Sequence, residues 1–263
     1  MNNAERSSPE LTQPESRLTL SAGQFLAILQ LTSPGLPVGA YSYSEGIEAL
    51  VDAQQLRTAD EFYDWLSQEL RWGMIRLEAG IVLAAHQATL AQDWVTLSEL
   101  NQRLSALRET EEMRSQNWQM GRSLLKLLQE LRSDWPAELQ PLLQIWLGLE
   151  PSRDGDGKPG INYGVVFGLA AALWQLDAPA TILSYLQAWV ANLISAGVRL
   201  VPLGQTQGQR VLLNLAAPLQ DTVEQILAVN HQSPDWDALV GCGWGLSLAS
   251  MSHETQYSRL FRS

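Results

Sequence analysis

Thr58-Ala59-Asp60-Glu61-Phe62-Tyr63-Asp64-Trp65-Leu66-Ser67-Gln68-Glu69-Leu70 decides the fold class of this chain. Apolar Phe62, Trp65, Leu66 and Leu70 recur at three and four residues, the spacing that places them on one face of an α-helix. Thr58 precedes Glu61 by three positions, so its hydroxyl can accept from the Glu61 N–H while the carboxylate reaches back to the Thr58 N–H. Outward from this stretch the same period returns in Leu97, Leu100, Leu104 and Leu107, in the Leu-rich run 124–131, and in Leu183, Leu186, Val190 and Ile194. Ser21 to Gln24 and Ser42 to Glu45 repeat the helix-start spacing, as does Asp221 to Glu224 with a carboxylate cap. Ser233-Pro234-Asp235 adds a proline at the first helical position. Strand-like alternation is scarce; Val198-Arg199-Leu200-Val201 is the best case, and Pro202 ends it. Stops fall at Pro34, Pro37, Trp135-Pro136, Pro151, Pro202 and Pro218. The pattern predicts an all-α chain, a single-domain helical bundle of about ten helices.

Composition narrows what such a bundle can do. The chain has 263 residues, 17 Lys+Arg against 28 Asp+Glu, a formal charge of −11 and 46% hydrophobic residues. That supports a substantial core and argues against nucleic-acid binding, which needs a surplus of cations for phosphate. One cysteine, Cys242, excludes an intrachain disulfide and any site built on two thiolates, and suits a reducing compartment such as the cytosol. Residues 1–20 lack an apolar signal region and read as a flexible tail ahead of a domain over 21–263. No segment is expected to span a membrane: the apolar run Gly164 to Leu176 falls short of the roughly 20 residues a bilayer requires. It reads as a helix buried on most sides. Glu150 to Gly160, rich in Gly, Pro and Asp, reads as an exposed loop within one domain.

The chemical motifs fail one after another. The loop from Asp154 has Lys158 and Val165 where a calcium loop needs oxygen ligands. Gly157-Lys158 and Gly204-Gln205-Thr206-Gln207-Gly208 lack the Lys-Ser/Thr ending of a phosphate loop. His253-Glu254-Thr255-Gln256-Tyr257 imitates a zinc-protease helix but carries Tyr257 in place of the second His. A metal-dependent hydrolase using His253 and Glu254 would need distant ligands, and His86 and His231 read more simply as isolated side chains. Cys242, amid glycines and apolar residues, reads as a buried, inert thiol. No catalytic, cofactor or metal constellation emerges, and a generic helical adaptor is the other alternative.

Two segments remain unusual. Ser33-Pro34-Gly35-Leu36-Pro37-Val38-Gly39-Ala40-Tyr41-Ser42-Tyr43-Ser44-Glu45-Gly46-Ile47-Glu48 shapes a turn that delivers a helix and presents Tyr41 and Tyr43; taken by itself it reads first as a plain helix–helix connection with the Tyr packed locally. The end, His253 to Ser263, holds Tyr257, Leu260 and Phe261 between Arg259 and Arg262. If it frayed it would expose considerable apolar surface, so segment 252–263 is expected to dock, on this subunit or on a partner.

These segments resemble the urease accessory protein UreF family. The likeness runs through Leu29 to Glu48, Met120-Gly121-Arg122, Tyr163 to Ala170, Arg199 to Thr206 with Gly208-Gln209-Arg210, and His253 to Ser263, in family order. The chain departs from the pattern at Ala40, where a glycine or serine is expected, and at Asn162, where many relatives carry His. The resemblance implies an all-α, UreF-like, non-enzymatic cytoplasmic homodimer, a chaperone of urease metallocentre assembly. It implies binding to UreD (UreH in some organisms) and recruitment of the nickel-carrying GTPase UreG for nickel insertion into urease, with regulation of GTP hydrolysis. Relatives are also implied to order their C-terminal segment on binding UreD. Partner contacts are then expected at Tyr41, Tyr43, Glu45, His253, Glu254, Tyr257, Arg259, Phe261 and Arg262, with Tyr41 and Arg259 foremost.

Overall fold

The computed structural model describes residues 20–108, 110–131, 134–146, 160–201, 203–232, 244–254 and 259–261, without the side chains of 231–232, 244–247 and 254. Among the described residues all regular structure is helical: twelve α-helices and two short 3-10 turns.

The stretch that decides the fold class forms α3 (Ala59–Trp72). Thr58 Oγ1 accepts from the Glu61 N–H at 3.2 Å, Glu61 accepts from the Thr58 N–H at 3.2 Å, and Phe62, Leu66 and Leu70 are fully buried. The same device starts α1 (Ala22–Leu31) at Ser21 and Gln24. The centre of the molecule is α8 (Tyr163–Leu173), buried along nearly its whole length between α4 (Met74–Leu90) and α6 (Glu111–Leu131). Small residues permit that approach: a Cβ on Gly168 would strike the Val82 carbonyl and lie 3.0 Å from Ala85 Cβ, and one on Gly121 would strike the Ile161 carbonyl.

Around this centre, α9 (Ala178–Leu200) packs on α4 and on α10 (Gln205–Asn214) and α11 (Ala216–Gln232). Helix α5 (Trp94–Leu107) lies against α4, and α7 (Gln140–Trp146) follows α6. The short α2 (Ile47–Asp52) contacts α9 on one side and α12 (Trp244–Glu254) on the other. One cluster of buried apolar side chains runs from Leu31 to Ala249.

Four sequence expectations are corrected. Ser42 does not start a helix: it ends a 3-10 turn, Ala40–Ser42, and α2 begins only at Ile47 after Gly46, because Glu45 and Gly46 take left-handed backbone. Asp221 and Glu224 lie inside α11, which starts at Ala216. Pro218 therefore sits in its first turn, where a missing N–H costs nothing, and is not a stop. The strand candidate at Val198 is the last turn of α9, and only Val201 is extended. Finally, α9 is long and apolar enough to cross a bilayer by length and composition, though its buried face serves the core. Helix α8, by contrast, is the buried helix expected of the 164–176 run. The expected tail over residues 1–19, loop residues 150–159, the Ser233 helix start and Cys242 lie outside the described residues.

Candidate functional site

The turn between α1 and α2 is set by its glycines. Gly39, at φ 80°, starts the 3-10 turn that carries Tyr41, and Gly46, at φ 85°, starts α2. A Cβ on Gly46 would lie 3.0 Å from the Ser250 N and 3.2 Å from Ala249 Cβ, so α12 rests directly on this backbone. The turn sends alternate side chains opposite ways. Tyr41 points outward, 63% exposed, whereas Tyr43 is buried, its carbonyl accepting from Asn192 Nδ2 at 3.5 Å. Glu45, held at φ 50°, accepts from Trp189 Nε1 at 2.8 Å. Burial pushes the Glu45 carboxyl up, and the Arg108 guanidinium opposes that shift.

Beneath the turn lies a cavity of about 150 Å³ whose wall includes Tyr41, Glu45, Glu78, Arg108, Tyr185 and Trp189. Its floor is a buried polar network. Arg108 Nη2 donates to Glu78 Oε2, Asn117 Nδ2 donates to Glu78 Oε1 at 3.1 Å, and the Tyr185 hydroxyl also bonds Glu78. Burial pushes the Tyr185 phenol well above its ordinary value. Asn117 Oδ1 accepts from the Tyr163 N–H at 2.7 Å, which ties the start of α8 to α6. Asn162, the position departing from the family pattern, donates through Nδ2 to Asn101 and Ser105. It is a fastener for the α5–α8 junction.

Of the C-terminal segment, His253 and residues 259–261 pack on helices of the same chain. His253, fully buried at the end of α12, puts Nδ1 3.1 Å from Glu112 Oε2 and Nε2 3.2 Å from Glu48 Oε2. Glu48, on α2, also accepts from the N–H of Leu260 at 2.6 Å and of Phe261 at 3.0 Å. Arg259 Nη1 donates to Glu112 Oε1 at 3.2 Å. The Phe261 ring is buried beneath the Arg199 guanidinium, 5.8 Å from its centroid, while Leu260 is 66% exposed, and Leu248 and Met251 are exposed on α12. Thr110 Oγ1 and Ser250 Oγ, 2.9 Å apart, join α12 to the start of α6. Among the described residues, no three His, Cys, Asp or Glu side chains gather in a form that could hold a metal ion.

This helical arrangement carries a family likeness along most of the chain. The UreF family model matches residues 56–216. The urease accessory protein UreF of Nostoc sp. (strain PCC 7120) is 46% identical over 245 residues, covering 93% of this chain and 98% of that protein. The UreF proteins of Trichormus variabilis and Synechocystis sp. (strain PCC 6803) are 46% and 44% identical, covering 94% and 93% of the chain and 99% and 100% of their own lengths. The chain belongs to the UreF family.

Seen as a UreF-family protein, its expected contact residues sort into groups. Tyr41 and Arg259 lie at the surface or its margin, while Tyr43, His253 and Phe261 are buried and Glu45 is half-buried. The side chain of Glu254, and Tyr257 and Arg262 entirely, lie outside the described residues. The turn and the C-terminal segment meet through Gly46 against α12 and Glu48 against residues 259–261. Sequence reading missed Glu48, Glu112, Glu78 and Arg108. Their partners lie 30 to 213 positions away, so no local spacing reveals them.

Proposed function

We propose that this UreF-family chain is a non-catalytic scaffold of urease activation. As a cytoplasmic homodimer it binds UreD (UreH), and the pair recruits the nickel-carrying GTPase UreG for nickel insertion into apo-urease. By holding UreG in one nucleotide- and nickel-dependent conformation, it also regulates GTP hydrolysis; such control requires only differential binding to two states of UreG. The supporting observation is the junction of the two family-like segments. The turn bearing exposed Tyr41 continues into α2, which touches α12 at Gly46 and holds the C-terminal segment at Glu48. Together they offer Tyr41, Arg259, Leu260 and the outer face of α12 to a partner, on a chain whose −11 charge favours a basic complement.

The hydrolase alternative loses its ligand. Both His253 ring nitrogens face carboxylates on opposite sides of the ring, so neither lone pair is turned to an open metal position. Membership of a urease accessory family removes the ground for a generic adaptor. Pull-down with UreD and UreG tests the proposal. Tyr41→Ala and Arg259→Ala are each expected to weaken capture of the ternary assembly by about tenfold, the effect of one lost interface anchor. Intact capture by both variants refutes the composite surface.

A further inference from the structure

We infer that Glu48 is the positioning residue of the C-terminal segment, and that it holds residues 259–261 through a His253 ring carrying protons on both nitrogens. The inference rests on the proposed docking role of that segment and adds the means by which it is held.

The proton count follows from donors and acceptors. A carboxylate only accepts, and a neutral imidazole has one N–H and one lone pair. His253 faces Glu112 with Nδ1 at 3.1 Å and Glu48 with Nε2 at 3.2 Å, so a neutral ring would turn a lone pair on a carboxylate inside a site with no solvent exposure. Both acids are engaged by other donors as well. Glu48 Oε1 and Oε2 already accept the N–H groups of Leu260 and Phe261, and Glu112 Oε1 accepts from Arg259. With an imidazolium, the carboxylates from α2 and α6 both face a cation on the ring between them, and Glu112 faces Arg259 as well. The helix end favours the same state, since a cation in the last turn of α12 meets the negative end of the helix dipole. Arg199 from α9 is a further cation at the segment, stacked on Phe261.

Glu48 is the hub because it alone bonds both the ring and the two backbone N–H groups. Its carboxylate lies within the family-like turn sequence, 212 positions from Leu260, so the turn itself orients the C-terminal segment. Loss of the second ring proton leaves a lone pair against a carboxylate and loosens that hold.

The test is made on the full chain alone, by nitrogen NMR of the His253 ring and amide exchange at Leu260 and Phe261, then by partner capture. Expected are two protonated ring nitrogens in the unmodified chain. Glu48→Gln should exchange the two amides at least about tenfold faster, with helix content retained, because hydrogen bonds to a charged group are lost. A single neutral tautomer in the unmodified chain, or unchanged exchange in Glu48→Gln, overturns the inference. If that variant does not fold, nitrogen NMR of the unmodified chain decides alone: two protonated ring nitrogens support the inference, and one unprotonated nitrogen overturns it. Faster exchange with undiminished capture of UreD and UreG supports the hold by Glu48 and refutes instead the docking role of the segment.

Discussion

At the scale of single residues, Glu69 shows how periodicity can be right while chemistry is hidden. It falls on the buried stripe of α3 with Phe62, Leu66 and Leu70, a position where the pattern calls for an apolar side chain. Its carboxyl occupies the space that a Cβ on Gly73 would take, and its Oε2 has no hydrogen-bond partner. Burial, with the Glu45 charge adding to it, pushes Glu69 up to about 7 from an ordinary 4.5. The folded chain thus binds this proton more tightly than the unfolded chain. The resulting stability is complete below pH 4.5 and is lost as pH rises to about 7. Glu69→Gln should therefore be neutral in acid and stabilising by ~2 kcal/mol at pH 8, read from denaturant midpoints at the two pH values. An equal effect at both pH values contradicts the assignment. His86 is the simpler case: its Nε2 lies 2.8 Å from the Leu176 carbonyl, and burial lowers its pKa, as suits an isolated core histidine.

At the scale of elements, local signals served wherever a helix end is local. Thr58 and Ser21 cap as their spacing predicts, and Thr58→Ala should cost about 1 kcal/mol in equilibrium unfolding with no change of fold. The same spacing misled at Ser42, where two consecutive left-handed residues, forced by the packing of α12 on Gly46, delay the helix to Ile47. It misled again at Asp221, because a helix already running from Ala216 takes in any cap-like residue it meets. The junction of α4 and α8 was legible as an apolar run but not as a close backbone contact. That contact depends on Gly168 facing the Val82 carbonyl, a partner 86 positions earlier in the chain. Gly168→Ala should destabilise by about 3 kcal/mol, the cost of overpacking a filled core, and a change under about 0.5 kcal/mol would contradict the packing described.

At the scale of the whole molecule, the fold class was readable, and the Tyr41 turn and the C-terminal stretch could be singled out as unusual segments, because helical period and turn residues are properties of neighbours in sequence. The junction between those segments was not. Glu48, His253, Glu112 and residues 259–261 come together only when α2, α6 and α12 assemble, and the three titratable side chains look like solvated polar residues in their own stretches. The chain has a buried polar network beneath the Tyr41 turn, and residues 259–261 are held against α2 and α6. The proposed role is assembly with partners, so mass is the most direct readout. Size-exclusion chromatography with light scattering should show one co-eluting species containing this chain, UreD and UreG, heavier than the chain paired with UreD alone. Separate elution of UreG from a mixture of all three, at any nucleotide state and with nickel present, would contradict the account.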